Sequence, residues 1–136
     1  MIVMKFGGSS VASPEAIEKT LSIVRKTESP VLVVVSAFGG ITDMLINASE
    51  MAARQDEGWR KHLQAIETRH FDAVRNLLPV AQQAGVLSKV KKEANTLETL
   101  LQGSFLIGEN TPKLLDRILS FGELMSANII ASYYQS

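Results

Sequence analysis

Apolar residues follow two rhythms along this chain. Ile2–Phe6 (IVMKF) and Val31–Val35 (VLVVV) are short apolar runs, whereas the residues from Thr42 onward repeat at helical spacing. A continuous valine run, rather than an alternating one, suits a central strand of a parallel sheet covered on both faces. Between the runs, Ser13-Pro14-Glu15 precedes Ile17, Leu21 and Val24. That is a helix start: a serine cap, proline at the first helical position, an acid in the first turn, then one apolar stripe. Strand, glycine turn, helix and strand make a βαβ unit, with parallel strands predicted at about 2–6 and 31–36.

The remainder predicts helices only. The first covers 42–54, with Met44, Ala48 and Met51 on one face. The second covers 57–78, carries Trp59, Leu63, Ile66, His70, Val74 and Leu77, and ends at Pro79. The third covers 86–107, with Leu87, Val90, Ala94, Leu97 and Leu101. Thr111-Pro112 opens the last, with Leu115, Ile118, Gly122, Met125, Ile129 and Tyr133 at core spacing. No repeat, low-complexity stretch or linker interrupts them. Two valine-rich strands fall short of the ~4–6 of an ordinary sheet, and their open edges invite pairing. The expectation is that residues 1–136 form the first part of a larger domain, or complete their sheet with a partner.

Composition narrows the picture. The 136 residues suit one domain, and 46% hydrophobic content supplies a core. Fourteen basic residues balance fourteen acidic ones, so nothing electrostatic points to nucleic acid or an anionic membrane. There is no cysteine, and the two histidines, His62 and His70, are too sparse for a His-based metal site. No apolar run approaches the ~20 residues of a membrane span, and Met1–Met4 is too short for a signal peptide's apolar region. These features predict a soluble, cytoplasmic protein with no resident metal.

Three stretches carry chemistry. Lys5-Phe6-Gly7-Gly8-Ser9-Ser10 sets a cation and paired glycines between a strand and a helix. Glycines there let the backbone turn through positive φ and let N–H groups converge on a phosphate, although a βα turn carries glycine for packing too. The lysine precedes the glycines, so this is not a Walker A loop. Ser36-Ala37-Phe38-Gly39-Gly40-Ile41-Thr42 repeats the grammar after the second strand. Parallel neighbours send both loops to one sheet edge, where ligands of open α/β sheets bind. Ser120-Phe121-Gly122-Glu123-Leu124-Met125-Ser126-Ala127 places a glycine on the apolar stripe of the last helix, where it costs ~1 kcal/mol relative to alanine. Something therefore comes close to the backbone at Gly122. Glu123 lies one position round, and a carboxylate beside a buried stripe calls for a partner, for which Lys5 is the candidate.

The other polar or unusual residues read as structural. His70 is expected to be a core histidine with its hydrogen bonds satisfied, and Trp59 and the methionines to be core. Gly103 and Gly108 read as helix termination, and Lys89–Glu93 as a solvated face.

Taken together, KFGGSSV, SAFGGIT and SFGELMSA resemble, in order and spacing, the motifs of the aspartate kinases within the amino acid kinase superfamily. The family's opening motif often has threonine where this chain has Ser9, which keeps a hydroxyl. The resemblance implies the N-terminal portion of a three-layer α/β/α sandwich that transfers the γ-phosphoryl group of ATP to the β-carboxylate of L-aspartate. That reaction opens lysine, threonine and methionine synthesis. By position it implies Lys5, Gly7, Gly8, Ser9 and Ser36 at the phosphates, with Lys5 catalytic, and Thr42 and Glu123 at the aspartate. It also implies Mg2+ accompanying ATP and a homo-oligomeric full-length protein. The rest of the kinase domain, the regulatory ACT domains and any homoserine dehydrogenase lie outside these residues, so the isolated chain is expected to be inactive. Kinases of glutamate, acetylglutamate, carbamate or UMP would share the fold and first loop, and a non-catalytic helical interaction module is the alternative of another class.

Overall fold

Ser13 and Thr111 start two helices by one device. Ser13 Oγ accepts from the Ala16 N–H (3.2 Å) and Thr111 Oγ1 from the Leu114 N–H (3.1 Å), with proline next in the chain each time. Each cap is worth about 1 kcal/mol. The computed structural model describes all 136 residues, running β1 (Ile2–Phe6), a 3-10 turn (Gly8–Val11), α1 (Pro14–Arg25), β2 (Val31–Val35), α2 (Ile41–Ala53), α3 (Trp59–Leu77), α4 (Val80–Ile107) and α5 (Pro112–Tyr134). Pro79 separates α3 from α4, and α4 begins six residues earlier than its apolar spacing predicts, at Val80 rather than Val86. Gln83 Nε2 donates to the carbonyls of Leu78 (2.9 Å) and Arg75 (3.3 Å), tying the polar first turn of α4 to the end of α3. Gly103 lies inside α4, and Gly108, at φ +81°, ends it.

β1 and β2 pair in parallel from Ile2 opposite Val31 to Phe6 opposite Val35, which puts Lys5 opposite Val34. Phe6 and Val35 pack on the hydrophobic core. The opposite face carries Val3, Leu32 and Val34, which are 61%, 51% and 42% exposed. The parallel strands and the helical remainder are as the sequence predicts, and the helices of these residues mask one face of the strand pair only. The main core lies where α2–α5 pack on one another, with Trp59, Ile66, Leu97, Leu101, Ile118, Met125 and Ile129 fully buried. α5 also reaches both ends of the βαβ unit, bonding Thr20 of α1 through the Tyr134 hydroxyl (2.7 Å) and the carbonyl of Ser36 through Ser126 Oγ (2.7 Å).

Candidate active site

The two strands deliver the glycine loops to the same end of the sheet. In the first loop, Gly7 has φ −78° and the chain turns by the 3-10 helix, with the Ser10 N–H returning to the Gly7 carbonyl (3.0 Å). The positive φ expected at Gly7 and Gly8 is absent, because a 3-10 turn needs no left-handed residue. Packing does not demand these glycines either. A Cβ on Gly7 would meet nothing within 4 Å, and one on Gly8 only Ser36 Oγ at 3.9 Å. Both glycines thus face room that the folded chain itself leaves unfilled.

The second loop has different constraints. Gly40 has φ +83°, a conformation that favours glycine, and opens α2 without a side-chain cap. Its N–H makes no hydrogen bond within the chain. Thr42 lies exposed in the first turn of α2, where backbone donors lack intrahelical acceptors. Gly39 allows the loops to touch: a Cβ there would sit 3.1 Å from Ala12 Cβ, 3.4 Å from Ala12 Cα and 3.7 Å from the Gly8 carbonyl oxygen. Gly8 and Ser36 thus meet where the loops touch, with Ser36 Oγ donating to the Ala37 carbonyl (3.2 Å), whereas Lys5 is exposed on β1 opposite Val34 and Ser9 is exposed beside Phe6, Ala16 and Lys19.

Helix α5 closes the assembly from the side. A Cβ on Gly122 would lie 3.0 Å from Ala37 Cβ, 3.2 Å from Leu45 Cδ1 and 3.5 Å from Ile41 Cγ2, so the close approach inferred from sequence is real. Two turns of this helix present Ser120, Glu123, Leu124 and Ala127 along an open groove beside Val33–Val35. Lys5 stands one strand away from that groove, opposite Val34. Lys5 and Glu123 are not ion-paired, since the salt bridges of the chain are Arg75–Asp72 (3.6 Å) and Lys91–Glu67 (3.1 Å). Both side chains are exposed, so no desolvation penalty forces a partner on Glu123.

Sequence reasoning passed over the underside of the second loop. Phe38 is buried and stacks on the His70 ring (5.1 Å between centroids, 27° between planes). His70 is fully buried, and desolvation lowers its pKa to about 4, so its imidazole is neutral at pH 7. Nδ1 lies 2.7 Å from the Ile66 carbonyl oxygen, whereas Nε2 has no partner, so the satisfied core histidine is satisfied at one nitrogen only. Arg69, the preceding residue on α3, donates to the carbonyls of Gly39 and Ala12, one in each loop region. A lone arginine on an amphipathic helix carries no sequence signal for such a target. No group of three or more His, Cys, Asp or Glu side chains is placed to hold a metal ion.

Paired parallel strands, two touching glycine loops and a flanking helix define a class. The amino acid kinase family model matches residues 1–136, and the chain belongs to that family. Aspartokinases are among its relatives. Aspartokinase 1, chloroplastic, of Arabidopsis thaliana is 35% identical over 136 residues, covering 96% of this chain and 23% of that protein. The chloroplastic bifunctional aspartokinase/homoserine dehydrogenase 1 of the same plant is 30% identical over 131 residues, 96% of this chain and 14% of that protein. A crystal structure of E. coli aspartokinase III in complex with aspartate and ADP matches with a TM-score of 0.87 at 29% identity, covering 99% of this chain and 29% of that one. The chain thus spans less than a third of the length of these relatives, and its fold is the corresponding portion of theirs.

Proposed function

We propose that the chain supplies the phosphate-loop and aspartate-binding part of an aspartate kinase, which phosphorylates the β-carboxylate of L-aspartate with ATP. The observation that carries this reading is the pair of touching loops at the carboxyl ends of β1 and β2, with unfilled space at Gly7 and Gly8, the first residues after the strand that carries Lys5. The E. coli relative solved with aspartate and ADP supports it.

The chemistry asks little of the protein beyond placement and charge. The nucleophile is a carboxylate, ionised at neutral pH because free aspartate titrates near ~3.9, so no general base is required. One carboxylate oxygen attacks the γ-phosphorus; the bond from that phosphorus to the β,γ-bridging oxygen breaks, and ADP leaves with the electron pair. Catalysis then consists of alignment and of neutralising negative charge on the phosphoryl oxygens. In this reading the Lys5 ammonium meets that charge. The open faces of Gly7 and Gly8 let phosphate oxygens reach the backbone, the Ser9 hydroxyl donates alongside, and that of Ser36 does so by turning from the Ala37 carbonyl to the phosphate. Thr42, at the uncapped start of α2, and Glu123, on the groove, hold the aspartate by its polar ends. Mg2+ bound with the nucleotide would neutralise phosphate charge, taking its ligands from phosphate and water. The intact enzyme is proposed to be a homo-oligomer in the cytoplasm or an equivalent compartment that holds ATP and free amino acids; no helix here is long and apolar enough to cross a membrane.

The test is hydroxamate detection of acyl phosphate, made in the polypeptide that carries the rest of the catalytic domain. Lys5→Ala should lower kcat by about 10²-fold or more, and Glu123→Gln should raise the KM for aspartate above that for ATP. Wild-type turnover with glutamate or carbamate but not aspartate, or an unaffected Lys5→Ala, would refute the reading.

A further inference from the structure

The Arg69 guanidinium is the one side chain that bonds both loop regions. Nη1 donates to the Gly39 carbonyl at 3.1 Å and Nη2 to the Ala12 carbonyl, while the guanidinium carbon sits 5.7 Å from the Phe38 ring centroid. No carboxylate pairs with it in either salt bridge of the chain. Its planar fork, with parallel N–H vectors, can bridge two separate acceptors, which a lysine ammonium cannot do in fixed geometry. The Gly39 carbonyl belongs to the Gly39–Gly40 peptide, whose two glycines offer little steric resistance to a flip. In a trans peptide the C=O and N–H point in opposite directions. Drawing the Gly39 oxygen toward α3 therefore aims the Gly40 N–H away from α3, and that N–H has no acceptor within the chain.

We propose that Arg69 is a positioning residue: by holding the Gly39 and Ala12 carbonyls it locks the two loops together and keeps the Gly40 N–H presented as a donor to an anionic group of the bound substrates. The proposal deepens the kinase reading and rests on it for the identity of the anion. Arg69 itself touches neither reactant; it acts through the peptide that it orients.

The experiment, made in the polypeptide that carries the rest of the catalytic domain, compares wild type, Arg69→Ala and Arg69→Lys, each with and without ethylguanidinium, by hydroxamate kinetics and by amide NMR of Gly39, Gly40 and Ser13. Arg69→Ala is expected to lose on the order of 10²-fold in kcat with a smaller change in either KM. Arg69→Lys should fail to restore it, and ethylguanidinium should partly restore Arg69→Ala. The Gly39 and Gly40 amide signals should shift and broaden in both variants while those of α4 stay in place. Retention of kcat within twofold, rescue by lysine, or unchanged loop amides would overturn the proposal. Should a variant fail to fold, Gly40→Ala gives a second reading: a residue strained at φ +83° must disturb the same donor, so kcat should fall with Arg69 intact, and an unchanged kcat overturns the proposal. If wild type shows no aspartate turnover but its loop amides respond to Arg69→Ala as described, the kinase reading fails and the clamp stands.

Discussion

Three helical glycines test the claim that α5 presses on the second loop. Gly122, Gly85 and Gly103 each lie within a helix, so alanine at any of them gains up to about 1 kcal/mol of helix propensity. Their surroundings differ. A new Cβ at Gly85 or Gly103 meets nothing within 4 Å, whereas at Gly122 it arrives 3.0 Å from Ala37 Cβ and 3.2 Å from Leu45 Cδ1. Leu45 Cδ1 is the end of a flexible side chain, but Ala37 Cβ moves only with its backbone, so α5 and the loop must part by a few tenths of an ångström. Overpacking of this kind costs roughly 1–3 kcal/mol. Taking about 2 kcal/mol less the propensity gain, Gly122→Ala should destabilise by about 1 kcal/mol, and the two controls should stabilise by about 0.5–1 kcal/mol. Urea unfolding at pH 7 with a common m-value reads the difference directly. If Gly122→Ala stabilises as much as the controls, the close contact between α5 and the loop does not exist as described.

Two further outcomes follow from burial. His70 is neutral when folded, with a pKa of about 4 against 6.5 for the free side chain, so the unfolded chain binds the proton first. Stability is therefore complete above about pH 6.5 and falls as the pH drops toward 4, by about 3 kcal/mol for a shift of this size; His70→Gln should flatten that slope in urea titrations, and an equal slope in the variant would refute the assignment. The open sheet face, with Val3, Leu32 and Val34 beside the exposed Leu124, should drive concentration-dependent association of the 136-residue chain. Sedimentation should show Leu32→Thr/Val34→Thr to be less associated, and a wild-type chain that stays monomeric at every concentration would contradict this.

What the sequence disclosed was local, and what it withheld was relational. The starts at Ser13-Pro14 and Thr111-Pro112 were legible because a cap and its proline are neighbours in the chain. So was the anomaly at Gly122, a residue out of place in a helix core. The early start of α4 was not, since Gln82 and Gln83 break the apolar rhythm and Gln83 finds its acceptors on α3 only in the fold. Glu123 was expected to need a partner because it sits next to a buried stripe, yet one step round a helix is enough to reach solvent. The paired glycines of the first loop suggest a left-handed turn, yet neither has positive φ, and what distinguishes them is the space around them. Arg69 was invisible for the plainest reason: its partners are backbone carbonyls, which every sequence possesses.

The anchoring of Phe38 has a consequence for how this site behaves on warming. Binding loops are commonly the first segments to open, being drawn from the least stable part of a protein. Here the residue just before the paired glycines is 2% exposed, with an imidazole stacked against it and a helix close beneath its neighbour Ala37. Freeing the loop means extracting that ring, at a cost close to that of disrupting the hydrophobic interior itself. Gradual heating should leave the edge of the sheet rigid until the whole molecule melts, so this loop gains precision and gives up the freedom to act as a mobile lid.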